Sequence, residues 1–321
     1  MGLFVLLLYP KIFDVNLKIK DTTKGYILVI ISVLAMANVY IFSKASLNLV
    51  HLSQFGVYWF AFGIFFNLLF SRKQLKPEVI KPVLRENFLF ILLVGMLELA
   101  GTAAFFTAVK TMTNPALVSF FANSTPVFVT ILGIIVLKER FNALEILGIF
   151  LTVAGAFVIA YNPGLEIPSD FYKALVLILI SGVSFAVSTI LSKKNIKKVP
   201  PSVLSINRVV FLFVASVIFL VISGNSAFIP KEALIWLSAG AFLGPFLAAF
   251  TGFSALKYIE ASRSSVIGSS KALFVLLTSW FYFNMIPGNY QLIGGLITIL
   301  GVFMLTGGKR LLYKKTEEKV I

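Results

Sequence analysis

The chain has 321 residues, 59% of them hydrophobic and 13% charged, with a formal net charge of +15 and no cysteine. Soluble domains carry about 25% charged residues, and single cores stop growing beyond about 250–300 residues, so a soluble globule of this composition is excluded. Disulfides, thiolate metal sites and cysteine nucleophiles are excluded with it.

The first nine residues, Met1 to Tyr9, are apolar but too short to span a bilayer, and they lack the basic start of a signal peptide. They read as an interfacial stub or an overlong start. A spanning helix needs roughly 20 apolar residues. Ten such runs follow, at 25–43, 53–70, 88–108, 115–137, 143–161, 172–191, 202–222, 234–256, 264–285 and 289–307. The runs are continuous and not alternating, which favours helices over a barrel. The expected fold class is an all-α integral membrane protein with ten transmembrane helices.

Basic residues gather in the N-terminal segment, in the second, fourth, sixth and eighth connectors and in the C-terminal tail. Twenty-two lie there, against four (Lys44, Lys110, Lys173 and Lys231) in the remaining connectors. Such a bias marks the cytoplasmic face, so both termini are expected inside. Charges scattered through short loops also argue against a nucleic-acid surface. The expected organisation is a cytoplasmic segment 1–24, a five-span half 25–161, a connector 162–171, a second five-span half 172–308 and a basic tail 309–321.

The two halves repeat each other. Ser43-Lys44 recurs as Ser192-Lys193, Ala108-Val109-Lys110 as Ala255-Leu256-Lys257, and Gly148 and Gly155 as Gly294 and Gly301. The offset drifts from 149 to 147 to 146, as it does when only loops change length. Five spans per half is an odd number, so the second half enters the membrane from the opposite side. The expected arrangement is an inverted repeat, from which alternating access follows.

Three charges fall inside apolar runs: Glu98 in span 3, Arg208 in span 7 and Lys271 in span 9. Intramembrane ionisable groups usually face a cavity or a partner. Each has a plainer reading. Arg208 can snorkel to the interface, and Glu98 and Lys271 can form a structural ion pair. Ser264, Gly268, Lys271 and Thr278 share one helix face, as do Ser119, Asn123, Pro126 and Thr130, and Thr102 lies one turn after Glu98. Ser181, Ser184 and Ser188 form a stripe that helix packing explains better. Asn38 is a further hydrogen-bonding group at mid-span. Under the duplication Lys271 falls opposite Ser124, beside Asn123, so both faces are expected to wall one central cavity. Pro126 and Pro245 are candidate hinges, or static kinks.

The one histidine, His51, allows no His-based metal site or triad, no phosphate-binding loop is present, and no acids are paired for hydrolysis. No cofactor is expected and the chain is not read as an enzyme. Any transport must draw on a gradient of solute, proton or sodium. Glu98 is the one deep carboxylate and so the candidate proton carrier.

The segments Asn114-Pro115-Ala116, Ser124-Thr125-Pro126 and Lys138-Glu139-Arg140, then Glu145, Gly148 and Gly155 answered by Gln291, Gly294 and Gly301, give the chain a resemblance. Over about residues 24–308 it resembles the drug/metabolite transporter superfamily, and within it the EamA-like family. The resemblance implies export of small metabolites across the bacterial inner membrane, with a cavity lined by the first four spans of each half. Two departures stand out. The acid after span 4, Glu139, has no counterpart at Asn284-Met285-Ile286, and an arginine common in span 2 of relatives is Trp59 here, while Arg208 holds the matching place in span 7.

The expected activity is secondary export of a small polar metabolite, an amino acid or relative. Lys271 would meet its anionic group, with Arg208 beside it; Glu98, Asn123, Asn38, Thr102 and Ser119 complete the expected lining. The competing readings are an organic-phosphate or nucleotide-sugar antiporter, a lipid carrier or scramblase, and a non-transporting structural or sensor protein.

Overall fold

The computed structural model describes residues 20–74, 76–111, 121–160, 171–283 and 288–317. Of the expected connector at 162–171 all but Phe171 lies outside the described residues, as does Ser119. Helices follow one another along the chain: α1 (Asp21–Leu47), α2 (Leu52–Ser71), α3 (Pro77–Glu86), α4 (Phe88–Thr111), α5 (Thr125–Leu137), α6 (Ala143–Ala160), α7 (Phe171–Asn195) and α8 (Pro201–Ser223). Then come α9, a rod over Lys231–Ala255 with a π-helical stretch at Phe242–Ala248, α10 (Ala261–Ser269), α11 (Lys271–Phe283) and α12 (Asn289–Glu317). No strand occurs among the described residues.

Among those residues, seven helices are long and apolar enough to cross a membrane: α1, α2, α4, α7, α8, α9 and α12. α5 and α6 are shorter apolar helices. Their lipid-type surface is plain: Phe88, Leu89, Ile135, Phe150, Ile222, Leu296 and Phe303 are all exposed, an apolar surface that water would not tolerate.

Two helices depart from the simple runs. The ninth run is broken at Ser270 into α10 and α11. There Ser270 N–H and Oγ–H both donate to Ile267 O, at 3.0 and 2.6 Å. The hydroxyl competes for a helix carbonyl and turns the chain. The same turn stands in the first half, where Ser124 N–H and Oγ–H donate to Phe121 O at 3.0 and 2.7 Å. Pro126 then lies in the first turn of α5, where a missing N–H costs nothing. It starts a helix instead of kinking one. Pro245 lies inside the π-helical stretch, and its own carbonyl accepts from Asn67 Nδ2 at 3.2 Å. The matched turns place Ser270, not Lys271, opposite Ser124.

The second connector holds a helix that the apolar pattern did not reveal. α3 begins with Pro77, contains Pro82, and packs Ile80 and Val83 on the bundle.

Helix packing follows the repeat. α4 packs on α7 as α9 packs on α1, and α5 on α7 as α11 on α1, while α2 pairs with α8 and α6 with α12. In the α6–α12 pair a Cβ built on Gly148 would meet Gly301 O at 2.8 Å, and one on Gly155 would meet Gly294 O at 2.6 Å. The paired residue numbers rise on one helix and fall on the other, so the two run antiparallel. Fourth and eighth connectors meet at one end, through Glu139 and Ala261. At the same end Lys193 of the sixth caps carbonyls of Leu256 and Ile259, both at 2.7 Å. The seventh connector meets the start of α2 elsewhere, through Asn225 and Ser53.

Candidate functional site

Glu98 sits on α4 where that helix faces α7 and α8, and it is buried. Ser188 of α7 donates to its Oε1 at 2.6 Å, and Arg208 Nε of α8 lies 3.4 Å from its Oε2. The ion pair is therefore Glu98 with Arg208 and not Glu98 with Lys271. The reason is topological: α11, which carries Lys271, packs on α1, α6 and α12, on other faces of the bundle. Glu98 Oε2 and Thr102 Oγ1 are buried, one turn apart, and neither makes a hydrogen bond. Arg208 keeps 30% of its side chain exposed and lies over the Phe185 ring at 6.0 Å. One corner of the interface between the halves thus holds an acid, a base ion-paired to it, a hydroxyl that donates to the acid, and a Thr102 hydroxyl that makes no hydrogen bond.

The corner has an apolar twin. At offsets of 147 and 149, Glu98 corresponds to Pro245, Ser188 to Val39 and Arg208 to Trp59. Trp59 and Val39 crowd Gly240 and Gly244 of α9 there. The polar site belongs to one side of the repeat alone.

Lys271 opens α11 just past the Ser270 turn and is half-buried. Three residues earlier, at the end of α10, a Cβ built on Gly268 would meet no atom within 4 Å, so open space borders α10 there. Among the described residues Lys271 makes no ion pair. Asn123 is buried and donates to Ala156 O of α6 at 3.1 Å, and Asn38 donates to Leu34 O of its own helix at 2.9 Å. Both amides are committed to backbone. Thr130 Oγ1 likewise bonds Pro126 O.

Ser181 bonds Gly101 O across the α4–α7 contact, as packing requires, but Ser188 of the same stripe holds the acid. More was hidden at the connectors. Arg263, a basic residue of the eighth connector, is 1% exposed and bridges Glu145 at 2.6 Å and Glu260 at 2.7 Å. Glu139 accepts from the backbone of Ala261 and Ser262 and from the Ser262 hydroxyl. The signal for both was the departure at Met285, where the repeat loses its acid.

The model of the EamA-like transporter family matches this chain twice, at residues 23–161 and 172–307. An uncharacterized transporter of Archaeoglobus fulgidus is 29% identical over 302 residues, 88% of this chain and 98% of that protein. The uncharacterized transporter YyaM of Bacillus subtilis is 24% identical over 246 residues, 74% and 80% of the two chains. A protein of Rickettsia bellii named as an S-adenosylmethionine uptake transporter is 26% identical over 269 residues, 78% and 85%. A solved crystal structure superposes with a TM-score of 0.78 at 15% identity, over 90% of this chain and 99% of that one, and shares the fold.

Proposed function

Because the chain belongs to the EamA-like transporter family, we propose that it is a secondary carrier which exports a small zwitterionic metabolite, an amino acid or close relative. Transport is by alternating access between two inverted five-span halves in the cytoplasmic membrane, with both termini inside. The observation that carries this reading is the Glu98–Arg208 pair. It joins α4 of the first half to α8 of the second, at 3.4 Å, with one carboxylate oxygen not hydrogen-bonded. A solute with an ammonium and a carboxylate can replace each partner for the other. An ion pair that exchanges with substrate couples binding to the movement of the halves. Lys271, beside the open space at Gly268, is the second site for the anionic group. Glu98 is also the proton carrier if a proton gradient drives the cycle.

The antiparallel contact of α6 and α12 and the matched packing of the remaining helices support the inverted arrangement. The named substrate of the Rickettsia relative, S-adenosylmethionine, carries an α-amino acid group, which supports the solute class. That relative is named for uptake, so direction needs its own measurement: deletion cells should accumulate the solute that overexpressing cells release to the medium.

Purified protein in proteoliposomes is expected to catalyse counterflow of labelled amino acids. Lys271→Ala is expected to lower that flux about tenfold, equivalent to about 1.4 kcal/mol of lost interaction. Counterflow driven by phosphorylated solutes alone favours an organic-phosphate antiporter instead. Competition by lipid head groups favours a lipid carrier. Unchanged flux in Lys271→Ala removes that lysine from the site.

A further inference from the structure

We propose that the charged seal where the fourth and eighth connectors meet is a one-sided latch, and that it sets the end at which the carrier rests closed. This inference rests on the carrier reading above.

The seal is built from both halves. Lys138 takes a left-handed conformation at the end of α5, with φ of 56°, and sends Glu139 back across the seam. There one carboxylate closes three donors at the start of α10: Ala261 N–H at 2.7 Å, Ser262 N–H at 3.1 Å and Ser262 Oγ–H at 2.5 Å. An acid at this position also meets the positive end of the helix dipole. Gly133 is what lets the two come so close, since a Cβ there would stand 2.6 Å from Glu139 Oε2. One turn into α10, Arg263 lies under the Phe141 ring and ties α6 to α10 through Glu145. Glu139 and Glu260 also line a cleft of about 540 Å³, together with Leu137, Lys138, Arg140 and Lys193. Members of the seal therefore stand at a recess on the surface, where a vestibule leading to the seam would lie.

The opposite end cannot make the same seal. The two Ser turns fix the register of the repeat at an offset of 146. The N-terminal boxes agree: Asn142 N–H donates to Glu145 Oε2 at 2.9 Å, and Gly288 N–H to Gln291 Oε1 at 3.0 Å. At that register Glu139 corresponds to Met285, Ala261 to Pro115, Ser262 to Ala116 and Arg263 to Leu117. The acid and the base are gone. Of the three donors to Glu139, only one backbone N–H has a counterpart, because proline has none and alanine has no hydroxyl. In an inverted carrier the two end states make the same closure at opposite ends. Chemistry present at one end only is then a free-energy difference between the states, and it favours the state closed at the Glu139 end.

The chain has no cysteine, so Gly268→Cys gives a single thiol reporter at a position where an added side chain meets open space. The protein is placed in vesicles with known orientation, without solute, and labelled with a membrane-impermeant maleimide from each side. The reporter is expected to react from the side opposite the latch. Adding Glu139→Gln is expected to raise labelling from the latch side on the order of tenfold, the response to a one-decade shift of a two-state equilibrium. Ser262→Ala is expected to do the same to a smaller extent, and carries the test if the Glu139 variant fails to fold. Equal latch-side rates in the parent and in folded variants overturn the latch and leave the carrier reading intact. Altered labelling with no amino-acid counterflow supports the latch and removes the substrate assignment.

Discussion

Gly155→Val is expected to lower the apparent melting temperature of the detergent-solubilised protein by roughly 10 °C, at 2–4 °C per kcal/mol for chains of this size class. A Cβ on Gly155 would lie 2.6 Å from both Gly294 O and Thr298 N of α12. These are backbone atoms, which cannot rotate away as a side chain can. The helices must separate, and separation undoes the matching contact of Gly148 with Gly301 on the same face. Overpacking of this kind costs about 1–3 kcal/mol at one site, and the paired contact adds to it. Small residues carry helix association in a bilayer because lipid offers no hydrophobic drive between helices. Gly307→Ala on the partner helix α12 is the control, because an added Cβ there meets nothing within 4 Å. It should melt with the wild type. Thermal unfolding of the three proteins by light scattering and size exclusion decides the matter. Coincident curves for Gly155→Val and wild type would show that the close approach carries no stability.

The glycines of that contact stand out in the sequence, seven apart and repeated at an offset of 146, but the repeat does not say that they face each other. Glycine spacing survives in sequence because each position is fixed by a backbone neighbour. The long helices were visible for a similar reason: lipid demands apolar residues on every outward face, so the runs mark themselves. The short features escaped. α3 carries Pro77 and Pro82, and proline ordinarily interrupts a helix, although Pro77 only fills a first-turn position. The break at Ser270 lies within a run whose hydrophobicity continues on both sides. It depends on one hydroxyl taking the carbonyl of Ile267, a local competition that composition does not register.

The site divides in the same way. Glu98 and Arg208 were conspicuous, because a charge inside an apolar run is costly wherever it points. Their pairing was not, since it depends on α4 lying between α7 and α8 and away from α11. Ser188 was hidden in a three-residue stripe whose first member, Ser181, bonds Gly101 O across the helix contact. Arg263 and Glu139 lie in connectors, where charges usually are solvated. Their burial follows from the two connectors meeting, and no single connector sequence contains that information.

Glu98→Gln and Arg208→Gln, made singly and together, are expected to separate the structural role of the pair from its transport role. Removing one partner of a buried pair costs about 3–5 kcal/mol because the other charge is stranded. Arg208 is 30% exposed and Glu98 5%, so solvent relieves part of this, and about 1–2 kcal/mol is expected for Arg208→Gln. The double variant strands no charge, so its melting temperature should return most of the way to wild type. Transport should behave differently. If the solute takes the place of each partner, both charges are needed in every cycle. Each single variant is expected to lose on the order of tenfold in counterflow, about 1.4 kcal/mol, and the double variant should recover none of it. Measuring stability and counterflow on the same four preparations closes the cycle. Recovery of both in the double variant would make the pair a structural tie and move the substrate site to Lys271. Loss of pH-gradient-driven flux in Glu98→Gln, with exchange retained, would instead assign the carboxylate to the proton. In the outcome expected here, stability returns without transport, and the two charges act on the solute.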